Sequence, residues 1–353
     1  MQLAKDFFVR FRRSPAFAGF VLFLITILLN TIVQGPAAFF SSRNLNTLFA
    51  TNIPFLLIVM AQGVLLISGT LDVSAGVQMA LVNVVTIMTV QEWGIPFALG
   101  CLIGMLAALI ASVICWACVA VLRLPDLLAS YALTFAILGV NLLIMNSPQG
   151  SVSRELFRAY NSVLFGFIPA SALALILVLV VWFYIKRTSF GTNIYAVGAN
   201  PQNAFAAGIS PVKVQFQAFM FKGFVVGIAG ICITLLTASG NPIQAEALGL
   251  RSLAACIIGG LTFGGWGSMS CALFGGGFLI LIQNSVYFIF EMINRLIPTL
   301  VVSSYWHNLF SDGIVFLGLL LTIVTAKGQR EMLRINIQNK YMHLFKRRED
   351  NAK

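Results

Sequence analysis

Long apolar runs recur from residue 16 to residue 327, separated by short polar or glycine-rich connections. A helix needs about 20 mostly apolar residues to cross the hydrocarbon core of a bilayer. On that measure the pattern predicts about ten spanning helices, over 16–34, 53–69, 77–91, 95–122, 127–146, 166–185, 214–238, 250–263, 268–290 and 309–327. The third and eighth are short, and the fourth is long enough to tilt. The run from Ala16 to Gln34 follows a basic start as a secretory leader would, but no small-residue cleavage site precedes Gly35, so it reads as the first span. The expectation is an all-α polytopic membrane protein: a cytoplasmic segment over 1–15, a transmembrane domain over 16–327 and a basic cytoplasmic tail over 328–353.

Composition supports the membrane reading, with 59% hydrophobic and 9% charged residues, against roughly 25% charged in a soluble domain. A net charge of +11 would also suit nucleic acid. Its placement does not. The basic residues concentrate in 1–13, in 186–213 and at the C-terminal end, beside apolar spans, as the positive-inside rule requires. An even number of predicted spans separates each of these segments from the next, so all three fall on the cytoplasmic side. That leaves 35–52, 92–94, 147–165 and 291–308 outside. Basic tails so placed also meet anionic lipid headgroups, and nucleic acid is excluded as a partner. The cysteines at 101, 115, 118, 232, 256 and 271 all sit in apolar stretches. Cys115 and Cys118 form a CxxC with no second cysteine pair or nearby histidine, so they read as packing residues.

Two glycine-rich interruptions break the apolar pattern in a similar way: Ser68-Gly-Thr-Leu-Asp-Val-Ser-Ala-Gly76 before the third span and Gly259-Gly-Leu-Thr-Phe-Gly-Gly-Trp-Gly267 before the ninth. Irregular backbone at membrane depth survives only where protein or a watery cavity covers it, and paired interruptions point to a transport path. Ordinary turns at the membrane surface are the equal alternative. Gly223 and Gly227 form a GxxxG, whose default use is close helix packing.

The longest inner connection, 186–213, holds the most specific local signal. Asn200-Pro201 is a helix start, with Asn as N-cap and Pro at the first position. Gln202 to Ala207, with Asn203, Ala204 and Phe205 among them, continue the helix for about two turns, and Gly208 stops it. A helix this short is marginal alone, so something packs on it.

Phe190-Gly-Thr-Asn-Ile-Tyr-Ala-Val-Gly-Ala-Asn-Pro-Gln-Asn-Ala-Phe-Ala-Ala-Gly-Ile209 resembles the cytoplasmic loop of ribose-type ABC importer permeases, within the branched-chain amino acid and ribose permease superfamily. Leu71-Asp-Val-Ser-Ala-Gly76, Leu250 to Gly267 and Ser304-Tyr-Trp306 resemble further elements of the same family, over about residues 43 to 325. The resemblance implies a permease of about ten helices in the bacterial inner membrane, paired with a second permease. It implies cytoplasmic ATP-binding subunits docked on the short inner helix, with Tyr195, Gly198, Asn200, Pro201, Gln202, Asn203, Ala204, Phe205 and Gly208 in the coupling loop. A periplasmic or lipid-anchored binding protein delivers a sugar or sugar-like solute; nucleosides and furanose-like signal molecules are the alternatives. The chain departs from the family at Arg251, where an acidic residue is usual, at Thr192, at Lys222 and in its longer basic tail.

No Gly-x-x-x-x-Gly-Lys-Ser/Thr is present, so ATP is hydrolysed on another subunit. His307 and His343 are the only histidines and lack ligand partners at metal spacing, so no metal, cofactor or catalytic residue is expected. The rival of another class is an ion-coupled secondary transporter, for which Asp72, Lys222 and Asp312 would be the intramembrane groups. Asp72 and Ser74, with Thr262 and Phe263, are expected to border the solute path or its gate. Gln62, Asn83, Asn141 and Gln283 are further lining candidates, with Phe135 as an aromatic face. The alternative for each polar group is a helix-to-helix hydrogen bond. Lys222 lies too deep to snorkel, so it is expected to face inward, bonded to freed backbone carbonyls or paired with Asp72 or Asp312.

Overall fold

The computed structural model describes residues 14–164, 166, 168–262, 264–296 and 304–325. Among the described residues the architecture is all-α apart from one two-stranded hairpin. In chain order the helices are α1 (Ala16–Gln34), α2 (Pro36–Phe39), α3 (Ser42–Ile67), α4 (Ala75–Glu92), α5 (Phe97–Trp116, prolonged by a π turn over Ala117–Val121) and α6 (Asp126–Ile144). Then come α7 (Arg154–Tyr160), the strands β1 (Val163–Leu164) and β2 (Ile168–Pro169), α8 (Ala172–Ile185), α9 (Ser189–Ala199) and α10 (Pro201–Ala206). The chain closes with α11 (Pro211–Thr237), α12 (Leu248–Ile258), α13 (Met269–Leu296) and α14 (Ser304–Thr325). Among the described residues 6 helices are long and apolar enough to cross a membrane, or 7 if α8 and α9, bent by 82°, count as one.

The helices follow the predicted runs closely where the apolar stretch is continuous, and α1 begins and ends where expected. Other boundaries move for identifiable reasons. The second span starts well before residue 53, because Ser41 caps α3 by accepting from the Asn44 amide at 3.3 Å. The sixth starts only at Ala172, since the hairpin and α7 occupy the outer connection before it. The eighth is half a span: α12 stops at Ile258, and the residues from Ser239 to Ala247 carry no regular helix. The inner connection holds a second helix, α9, ahead of the short one that its capping signals predict.

The core is built around α4 and α11, both enclosed by their neighbours, while α1, α5 and α6 turn Leu28, Leu106 and Leu143 outward, as helices in contact with lipid would. Lipid is as apolar as leucine, so these contacts need close packing and internal hydrogen bonds. Gly223 and Gly227 provide the first: an added Cβ would lie 2.7 Å from Ser112 Oγ and 2.8 Å from Met105 Cγ on α5. Asn30 and Gln34 provide the second, donating to Leu281 O at 2.9 Å and Asn284 Oδ1 at 2.7 Å on α13.

At the centre Lys222 and Asp72 form an ion pair of 2.6 Å with both side chains 0% exposed. Lys222 also donates to Gln78 Oε1 and, at 3.3 Å, to Ser112 Oγ, so all three ammonium hydrogens are met. Asp72 accepts further from the Ser74 amide at 2.8 Å, the Ser74 hydroxyl and Gln78 Nε2. Of the partners expected for Lys222, Asp72 is the one found; Asp312 pairs with Arg251 instead. The cluster joins the first interruption, α4, α5 and α11 in one closed network.

Removing one member of a buried pair strands the other charge, at a cost of about 3–5 kcal/mol. Lys222→Met is therefore expected to lower thermal stability in detergent sharply, and Lys222→Met with Asp72→Asn to recover much of it. A single variant that stays as stable as the parent yet loses solute uptake would move Lys222 from scaffold to pathway.

Candidate functional site

The inner connection folds as its local signals require. Asn200 is extended, with φ −161°, and its Oδ1 accepts from the Gln202 amide at 2.9 Å and the Asn203 amide at 3.0 Å. These bonds satisfy two of the amides that a helix start leaves open. Gly208, at φ +83°, ends the turn in the left-handed region, and Ile209 N bonds back to Ala204 O at 3.0 Å. The short helix presents two faces. Ala204 is 5% exposed and turned into the protein, whereas Phe205 is 71% exposed, with Gln202 and Asn203 beside it. The outward face thus consists of Phe205 and its polar neighbours, with Ala204 as its inner support.

Helix α9 connects this element to the interior. Ile194 and Val197 are fully buried, and Tyr195 packs against the same core. At its end Gly198 meets both interruptions. A Cβ there would lie 1.9 Å from Ile67 O and 3.0 Å from Gly265 N. Gly69, at φ +80°, would place a Cβ 3.4 Å from Gly198 Cα, and Gly265, at φ +76°, would place one 2.8 Å from Tyr195 O. The two interruptions therefore flank one point, Gly198, three residues before the start of α10. Their likeness in sequence corresponds to a shared contact.

The remaining predicted positions divide. Asp72 and Ser74 belong to the buried Lys222 network. Thr262 donates its amide to Trp266 O at 3.1 Å inside the second interruption, and Phe263 lies outside the described residues. Asn83 and Asn141 are buried and hold irregular backbone. Asn83 donates to Thr234 Oγ1 at 2.9 Å and to Ser239 O at 3.0 Å, and accepts from Asn241 N at 2.8 Å. Asn141 donates to Val77 O at 3.2 Å and Pro242 O at 3.4 Å. They clamp the non-helical stretch of chain that runs from the bridge between Gly240 and Gln149 towards α12. Gln62 is buried on α3 and faces the core, while Phe135 is exposed on α6 beside Tyr131, with ring centroids 5.0 Å apart.

A cleft of about 600 Å³ opens beside the short helix, lined by Gly69, Thr70, Arg123, Asp126, Gln202 and Gln215 among others. Sequence reasoning does not single out Arg123 and Asp126. Their one signal is a charged turn between two spans. Asp126 Oδ2 accepts from the Leu71 amide at 3.2 Å, tying the first interruption to the start of α6.

Comparison with known proteins gives consistent matches. The sequence pattern of the family described as branched-chain amino acid transport system / permease component matches residues 44–324. The autoinducer 2 import system permease protein LsrC of Yersinia pseudotuberculosis is 25% identical over 285 residues, covering 80% of this chain and 78% of that protein. The fructose import permease protein FrcC of Rhizobium meliloti is 26% identical over 276 residues, covering 74% and 75%. The probable ABC transporter permease protein YphD of Escherichia coli is 28% identical over 228 residues, covering 64% and 68%. No solved structure matches the chain.

The contact at Gly198 has a direct test. Gly198→Ala drives a methyl group into backbone on two sides, whereas Gly208→Ala meets open space and costs about 1 kcal/mol of backbone strain. Thermal unfolding in detergent is expected to place Gly198→Ala well below Gly208→Ala, and equal stabilities would show that α9 moves freely of the interruptions.

Proposed function

The chain belongs to the family of branched-chain amino acid transport system permease components, and from that premise we propose that it forms, with a second permease, the path of a bacterial inner-membrane importer for a sugar or furanose-like solute. As a permease of this family it is a multi-pass membrane protein and not an enzyme. ATP is hydrolysed on separate subunits, and a solute-binding protein delivers the cargo. In our reading the basic segments 1–15 and 328–353 lie on the cytoplasmic side around the transmembrane domain. The coupling loop runs from Tyr195 to Gly208, and α10 docks in a groove of an ATP-binding subunit.

The observation that carries the reading is the exposed Phe205 on a helix of one and a half turns, capped at both ends and joined through Gly198 to both interruptions. A large apolar side chain held outward beside exposed amides has the form of a docking anchor. The rigid connection behind it supplies a route by which nucleotide-driven movement reaches Asp72, Ser74 and Thr262. The solute class draws on two relatives whose names specify autoinducer 2 and fructose import. The rival of an ion-coupled transporter loses support from the central charges: Lys222 and Asp72 neutralise each other and have their hydrogen bonds satisfied.

Because Ala204 is turned inward, a charge there would disturb packing as well as docking, and Phe205 is the cleaner probe. Phe205→Asp is expected to reduce recovery of the ATP-binding subunits with the tagged permease from solubilised membranes by tenfold or more. Its own abundance and unfolding temperature should be unchanged. Full recovery of those subunits would remove α10 from the docking role.

A further inference from the structure

We infer that the face carrying Arg251, Gln283 and Asp312 is a wall of a water-filled solute path, able to hold a neutral polyhydroxylated solute halfway across the membrane. This rests on the permease reading above and adds the place and chemistry of a binding site.

The first observation is an ion pair where lipid cannot be its neighbour. Arg251 Nη2 donates to Asp312 Oδ1 at 2.9 Å, with side chains 32% and 61% exposed. With its amide turned so that the oxygen faces α12, Gln283 accepts from Arg251 Nη1 at 3.1 Å. Depth follows from helix geometry. α13 has 28 residues and Gln283 lies at its middle, about 21 Å from the start at 1.5 Å per residue. Arg251, in contact with it, shares that depth. A charged side chain at the centre of a spanning helix is costly against lipid, so this face must adjoin water or protein.

The second observation is independent of charge. From Ser239 to Ala247 the chain runs without regular helix between α11 and α12. Ala245 O lies against Gly76 and Val73 O against Gly249, which places this stretch beside the start of α4, inside the membrane domain. Asn83 and Asn141 hold its first part. Its lower part, with Gln244, Glu246 and Ala247, is exposed. Irregular backbone at this depth is stable only under protein or along a watery cavity. Ala247 lies one turn before Arg251, and Tyr287 lies one turn beyond Gln283, so the exposed backbone and the ion pair form one continuous face.

The chemistry of that face selects its ligand. Arg251 is already paired, and the other exposed charge is the acidic Glu246. No unpaired cation among these residues would receive the carboxylate of an amino acid or another organic anion. The amides of Gln244 and Gln283, the guanidinium edge and the two carboxylates offer the alternating donors and acceptors that neutral hydroxyls require. The exposed ring of Tyr287 adds an apolar surface of the kind sugar rings rest on.

The reactivity of one added cysteine at a time tests the proposal in the assembled importer in native membranes, with the parent chain and its six native cysteines as background. Ala247→Cys and Tyr287→Cys leave the ion pair intact, and Leu28→Cys, on the outer face of α1, reports lipid. A charged, membrane-impermeant thiosulfonate is expected to modify the first two at least tenfold faster than Leu28→Cys. A mixture of neutral pentoses and hexoses should slow that reaction several-fold, and L-leucine should not. Modification only by an apolar maleimide would make the face lipid-exposed, and modification by neither reagent would make it a dry protein interface; both overturn the proposal. Protection by leucine, or by neither solute, overturns the ligand class. The recovery of ATP-binding subunits by Phe205→Asp is read separately, so failure here leaves the permease reading standing.

Discussion

The fold depends on the buried pair of Lys222 and Asp72. A lysine twelve residues into a 27-residue helix is too deep to reach either surface, so its charge must be answered inside the protein. Asp72 can answer it because the first interruption releases the chain from helical geometry between α3 and α4. There the carboxylate caps the Ser74 amide while facing α11. Were residues 68–74 helical, the same carboxylate would follow the helix surface instead. Ser112 and Gln78 complete the shell, and the glycines on α11 bring α5 close enough for Ser112 to take part. Charge, interruption and glycine packing are thus one arrangement.

Irregular backbone is the second consequence. Once the chain leaves helix at membrane depth, its amides and carbonyls need partners that lipid does not supply. Asn83 and Asn141 serve the segment after α11, and Asp126 serves the segment after α3. Asn83 and Asn141, which look like pathway candidates, are therefore occupied in holding up the chain. Glycines meet the complementary need for space, since Gly249, Gly259 and Gly275 let backbone lie directly on backbone where a methyl group would not fit. The start of the first interruption, at Gly69, and the glycines of the second, at Gly264 and Gly265, both lie beside Gly198, so these two irregular segments meet at the end of α9.

The outer surface divides along the same lines. Helices α1, α5 and α6 present leucine and isoleucine in the manner of lipid-facing spans. Helices α12, α13 and α14 also expose apolar side chains such as Leu309 and Phe316, but among them stand an ion pair, amides and unwound backbone. A single chain surrounded by lipid would not keep both surfaces, which is the physical case for a watery cleft shared with a second permease.

Much of this was legible in the sequence because it is local or one-dimensional. Continuous apolar runs set the spans, and α1 came out with its bounds, since hydropathy alone decides a lipid-facing helix. The cap at Asn200, the start at Pro201 and the stop at Gly208 were readable because capping involves residues two to four apart. The depth of Lys222 required a buried partner. Only the tertiary structure chose Asp72 over Asp312, since that choice depends on which interruption reaches α11. It also turned Ala204 inward and Phe205 outward, and stabilised α9 by burying Ile194 and Val197 beneath the interruptions despite two glycines in its sequence. The duties of Asn83 and Asn141 were hidden for the same reason: their partners lie 64 to 158 residues away in the chain, and no local pattern encodes which distant backbone will need a hydrogen bond.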